Sequence, residues 1–171
     1  MLLVAPAAAH ARPDTIEVRG SDRGFGRVLA IGDFEPQRDP TYGAAVTVFG
    51  EPARERSRSG GTACTVNWPT PGLKIVFANF GGGSACDRDL GRSQTARAYG
   101  GRWRTKRGLR VGARLRRLRR LYPHASSHGR DWWLVTAISL FGESRRYPVL
   151  AATVRGGRVR SFTLWIGAAG E

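Results

Sequence analysis

The sequence predicts an α+β protein made of two tandem helix-plus-antiparallel-sheet units forming one compact domain. Three observations predict it. The chain has 171 residues, 41% of them hydrophobic, with five Trp, seven Phe and four Tyr, enough to bury a core without a metal. A short apolar segment closed by a helix stop occurs twice. After each come strand-like runs separated by Gly- and Pro-rich turns.

Residues 1–11 read as a secretory signal remnant, an apolar run ending in the A-x-A cleavage pattern Ala9-His10-Ala11. Residues 12–100 form the predicted first unit. Within it, Arg19 to Gly26 is a turn, and Ile31-Gly32-Asp33-Phe34 leads into a helix over Thr41 to Phe49 stopped by Gly50-Glu51-Pro52. Arg54 to Gly61 reads as an exposed loop. Cys64 to Trp68 and Leu73 to Phe80 then make a hairpin around Pro69-Thr70-Pro71-Gly72. The Gly81-Gly82-Gly83 return brings Cys86 back toward Cys64, and an even cysteine count in an exported chain predicts a disulfide between them.

Residues 101–171 form the predicted second unit. Val111, Leu115, Leu118 and Tyr122 fall at i, i+4, i+7 and i+11 and line one face of a helix over Ala113 to Tyr122, which Pro123 ends. A polar loop with Ser126-Ser127-His128-Gly129 follows. Three strands, Trp132 to Ile138, Val149 to Val154 and Val159 to Ile166, complete the unit, with Gly156-Gly157 as a hairpin turn.

The hydrophobic-Gly lead-in, short helix, stop at Gly50-Glu51-Pro52 or Tyr122-Pro123, and ensuing strands resemble the unit shared by β-lactamase inhibitory proteins and the BamE/SmpA outer-membrane lipoproteins. The resemblance covers residues 30 to 168 in pattern. It implies a sheet that presents aromatics to a protein partner. This sequence departs from it in having no cysteines in the second unit and no matching inhibitory loop.

Motif chemistry is sparse. No Ser stands in a G-x-S-x-G elbow, and a disulfide removes the thiols. Gly24-Phe25-Gly26 lacks the third glycine of a dinucleotide loop, and Gly81-Gly82-Gly83 lacks the lysine of a phosphate loop. His124 and His128 are four apart but follow Pro123 in a polar loop without an intervening Glu, so no metal is predicted. Asp87 with Asp89, and Asp33 with Glu35, read as surface acids. The sequence therefore predicts no catalytic residues, no cofactor and no small-molecule substrate.

Charge is the loudest signal. The net charge is +15, and 13 of the 28 Lys and Arg residues fall within residues 90–130, where there is no Asp or Glu. Such an excess attracts polyanions or acidic protein surfaces. The predicted polyanion-binding residues are Arg114, Arg116, Arg117 and Arg120 on the helix, with Arg102, Arg104, Lys106 and Arg107 before it. Trp103, between two arginines, is a weaker stacking candidate. A second set comes from strand alternation, which puts Phe162, Leu164 and Ile166 on one face and Trp165 on the other. Trp132 and Trp133 point to opposite faces, so one of them joins Trp165 as an anchor for a protein partner. The expected function is a secreted non-enzymatic binding protein, inhibitor-like, that uses an open aromatic sheet face. The alternative is a cell-envelope protein that binds an anionic polymer. Export argues against genomic nucleic acid, and no stretch is long and apolar enough for an integral membrane protein.

Overall fold

A computed structural model describes residues 14–19, 28–138 and 146–167. The predicted signal remnant and the turn residues Gly20 to Gly26 lie outside the described residues.

The molecule is mostly β, which corrects the expectation of an α+β fold built from two tandem helix-plus-sheet units. Among the described residues it has two α-helices, α1 (Tyr42–Phe49) and α2 (Leu115–Leu121), of eight and seven residues. Thr41 caps α1 by accepting a 3.1 Å bond from the Ala44 N–H, and the Gly50 N–H closes its last turn on Val46. These helices are too short to form a layer that matches the sheet. The strands are β1 (Thr15–Arg19), β2 (Val28–Ile31), β3 (Arg54–Arg58), β4 (Ala63–Trp68), β5 (Leu73–Ala78), β6 (Arg92–Ala98), β7 (Arg104–Thr105), β8 (Ser126–His128), β9 (Asp131–Ile138), β10 (Arg146–Arg155) and β11 (Arg158–Trp165).

Eight of them form one sheet in the order β3-β4-β5-β6-β11-β10-β9-β8, antiparallel throughout. β1, β2 and β7 make a separate three-stranded sheet in the order β2-β1-β7. Two segments expected to be loops are strands, and so is a third that the sequence assigns to no element. Arg54 to Arg58 is the edge strand β3, exposed at every residue, so it carries no hydrophobic period to reveal it. Ser126 to His128 is the opposite edge, also exposed. Arg92 to Ala98 is β6, a central strand. Its core side is carried by Ala96 and Ala98, too small to stand out against the arginines around them.

Residues directly paired across a ladder share a face. One row therefore runs Trp68, Leu73, Ala98, Phe162, Ala152 and Trp132 across six strands. The adjacent core row is Val66, Ile75, Ala96, Leu164 and Leu150. Against this face lie Tyr42, Ala45 and Val46 from α1, Leu118 from α2, and Ile16, Leu29 and Ile31 from the small sheet, all in one continuous core. Phe49 leans on Trp68 at 5.6 Å between ring centroids, and the Trp68 Nε1–H donates to the Gly50 carbonyl at 2.8 Å. The buried indole is thus satisfied at a helix terminus.

Two close backbone approaches set the corner between β5 and the end of β6. A Cβ on Gly100 would lie 2.1 Å from the Pro71 oxygen, and one on Gly72 would lie 2.6 Å from the Gly100 Cα. Gly72 also has φ +80°, so a side chain there is excluded twice over. The Tyr99 and Gly100 N–H groups both donate to the Gly72 carbonyl across this contact.

Cys64, buried in β4, is bonded to Cys86, closing the loop that leaves β5. The bridge spans 22 positions, for which the chain-entropy model gives about 3 kcal/mol of stabilisation. Urea unfolding of the double variant Cys64→Ala/Cys86→Ala should show a loss of about this size. An unchanged midpoint would mean that the bridge does not constrain the unfolded chain.

Candidate binding face

The second face of the large sheet has no helix on it among the described residues, and its chemistry follows from the same pairings. Its first row runs Arg54, Asn67, Lys74, Arg97, Thr163, Ala151, Trp133 and Ser126, one residue from each of the eight strands. The next runs Arg56, Thr65, Val76, Thr95 and Trp165. Trp165 and Trp133 therefore share the open face, both partly exposed. Trp132 does not join them. It lies on the core side, where the Arg119 guanidinium sits 5.1 Å over its ring, so Trp132 is corrected from a partner anchor to part of the helix packing.

Sequence reasoning missed the strongest feature of this face. Arg54, Arg56 and Arg58 alternate along β3 and, with Lys74, Arg97 and Tyr99, border a shallow trough of about 590 Å³. Among the described residues, no carboxylate lines it. Glu55, the acid within β3, points to the other face and accepts a hydrogen bond from the Tyr42 hydroxyl. The Tyr99 hydroxyl donates to Asn67 Oδ1 at 2.9 Å and the Arg97 Nε–H donates to the buried Ser161 hydroxyl at 3.1 Å, which fixes the floor. The period-two arginines of Arg54-Glu55-Arg56-Ser57-Arg58 were the available signal, hidden by reading the segment as a loop.

At the far end of the same face, His128 stacks on Trp133 with centroids 3.6 Å apart and planes 15° from parallel. Ser126 Oγ is 3.0 Å from His128 Nε2. These contacts belong to the exposed edge pair β8–β9. No group of His, Cys, Asp and Glu able to hold a metal occurs among the described residues. Phe80 is a further aromatic outside the core, 80% exposed in the disulfide-closed loop, where the Asn79 amide donates to the Gly82 carbonyl at 2.6 Å.

The predicted basic cluster divides. Arg114, Arg116, Arg117 and Arg120 line a hollow of about 580 Å³ beside α2. Leu118 of this helix packs into the core with Phe162 and Leu164, so the sheet lies between this hollow and Trp165. The preceding residues are used inside the fold. Arg102 is paired with Asp14 and Lys106 with Glu17, which ties them to β1 and its approach. Arg104 sits in β7 opposite Thr15, and Arg107 lies 5.1 Å over the Tyr122 ring while donating to the Leu121 carbonyl at 3.2 Å. Trp103 is fully buried and its Nε1–H donates to the Pro71 carbonyl at 3.0 Å, so it is a core residue and not a stacking platform.

No described helix is long and apolar enough to cross a membrane. No protein-family model and no curated protein matches the chain. A crystal structure of an extracellular protein containing a SCP domain from Bacillus anthracis str. Ames is similar over 75% of this chain, with 10% identity and a TM-score of 0.43. The chain matches 43% of that protein's length. A likeness at this level assigns neither fold nor activity.

The small sheet carries a measurable acid sensitivity. Glu17, 8% exposed, accepts from Arg19 at 2.6 Å as well as from Lys106, and the carboxyl is held at about 2 against an ordinary 4.5. The Arg19 hydrogen bond is the largest cause, burial opposes it, and Lys106 adds to the lowering. A depressed carboxyl stabilises the fold above its unfolded value, and that contribution is lost as pH falls from about 4.5 toward about 2. Thermal melts across this window should fall less steeply for Glu17→Gln than for the parent protein. Equal slopes would remove Glu17 as the source.

Proposed function

We propose that this is a secreted, non-enzymatic binding protein whose open sheet face takes an acidic surface of a protein partner. The observation that carries this reading is the cationic trough. Lys74 stands directly opposite Arg97 on the same face, and three arginines line the adjoining edge, with no carboxylate among the described residues that line the trough. Like charges placed opposite one another work against sheet formation. An anionic partner converts that repulsion into attraction. Trp165, on the strand next to the trough, and Trp133, two strands farther along, lie on the same face, where partly exposed aromatics supply large contact area at low entropic cost. Secretion is part of the proposal, supported by the disulfide and by Ala9-His10-Ala11. The inhibitor-like role implied by the resemblance to β-lactamase inhibitory proteins enters at the same level, without β-lactamase as a named target.

A second reading rests on the hollow beside α2, where Arg114, Arg116, Arg117 and Arg120 crowd together at helical spacing. Arginines at i, i+3 and i+4 repel one another, and an anionic envelope polymer would relieve that repulsion.

Titration with poly-L-glutamate separates the two. On the first reading, Lys74→Glu/Arg97→Glu weakens binding at least tenfold with an unchanged melting curve, while Arg116→Glu/Arg120→Glu changes it less than twofold. The reverse ranking transfers the function to the helix. Binding by the parent protein should fall steeply with salt, and insensitivity to salt removes both readings. Trp165→Ala should weaken binding without unfolding, whereas an unfolded variant would make Trp165 a core residue.

A further inference from the structure

We infer that the edge strand β3 receives an extended acidic segment of the partner, which adds to the large sheet as a ninth strand. This rests on the acidic-partner reading and specifies its form. Among the described residues, β3 ends the sheet and is paired on one side only, with β4. A free edge exposes backbone N–H and C=O groups that template another strand unless something blunts it. The opposite edge, β8, is blunted by its length of three residues. β3 has five residues in unbroken register with β4, from Arg54↔Asn67 to Arg58↔Ala63. The pairs β5–β6, β9–β10 and β10–β11 are each interrupted by a register shift, while the β3–β4 pair is not. No proline falls within β3.

Charge is therefore what guards this edge, and charge is selective. A second copy of β3 would set arginine against arginine. With the arginine faces of both copies on the same side, Glu55 does not relieve this, because it lies on the opposite face from Arg54, Arg56 and Arg58, and paired residues share a face. A strand with acids at every second position meets no such repulsion. Its acidic side chains would stand beside Arg54, Arg56 and Arg58 on the open face, continuous with the trough that those arginines border. Its intervening residues would stand beside Glu55 and Ser57 and need to be small or hydroxylated. The edge thus rejects its own kind and accepts one pattern, which is recognition by strand addition with alternate side chains supplying specificity.

The probe is a synthetic nonapeptide of alternating Glu and Thr, titrated into the intact protein. Methylating the backbone nitrogen of every second residue blocks the donors along one side of an extended strand. One methylation phase should then weaken binding at least tenfold while the other leaves it near the parent value. A peptide of the same composition with its glutamates in one block should bind at least tenfold more weakly. In Arg54→Glu/Arg56→Glu/Arg58→Glu, preference should pass to the peptide with Lys in place of Glu. Equal effects of the two methylation phases, or equal binding of the blocked and alternating peptides, overturn strand addition. If the alternating peptide fails while poly-L-glutamate still binds through Lys74 and Arg97, this inference falls and the acidic-face reading stands. If poly-L-glutamate also fails, both fall.

Discussion

Cross-strand pairing forces residues that face one another on neighbouring strands onto the same side of the sheet, and here that constraint acts across eight strands without interruption in their order. The pairing of β6 with β11 decides the outcome. Through Phe162↔Ala98 and Leu164↔Ala96 it joins the core rows, and through Thr163↔Arg97 and Trp165↔Thr95 it joins the open rows. A slip of one residue at this pair would set Phe162 beside Arg97, which brings either Phe162 to the solvent face or Arg97 against the core. The apolar core and the cationic trough are two readings of one register.

The sheet also sorts the positive charge into three uses. On the open face, Arg54, Arg56, Arg58, Lys74 and Arg97 line the trough together, with no acid among its described lining residues. Beside α2, four arginines form a second concentration across the core from the first. Around the small sheet, Arg19, Arg102 and Lys106 are matched by Glu17 and Asp14 and serve to fasten β1. Matched and unmatched cations differ in what they can offer a ligand, since a paired guanidinium must give up its internal partner first. The overall charge of +15 is therefore a poor guide to where a partner sits, and the distribution of carboxylates is a better one.

Much of the core was legible because large apolar residues at regular spacing report their own burial. The hairpin of Cys64 to Trp68 with Leu73 onward, the helix over Thr41 to Phe49, and the Gly156-Gly157 turn all have local chemistry that specifies them, the last through φ of +57° and +69° at successive glycines. The class was misread because strands at edges and strands with small core residues leave no such trace. β3 and β8 are exposed throughout, and β6 packs through alanines. Their strand character comes from partners distant in sequence. The site suffered the same way. Arg102 and Lys106 looked free because Asp14 and Glu17 lie almost ninety positions away, while the trough arginines looked like a solvated loop.

The separation along the chain of the residues in the β6–β11 pair has a kinetic meaning. β3 to β6 connect to one another through sequence neighbours, and so do β8 to β11, each pairing with the strand next to it in the chain. Arg97 and Ser161, which meet at the seam between these groups, are 64 positions apart. Loop-closure entropy delays contacts of that span relative to hairpins. The meanders can therefore assemble before the seam closes, and until it does β6 and β11 each present an unpaired edge. Closure removes two sticky edges in one step, which makes its speed the quantity that governs escape from aggregation during folding.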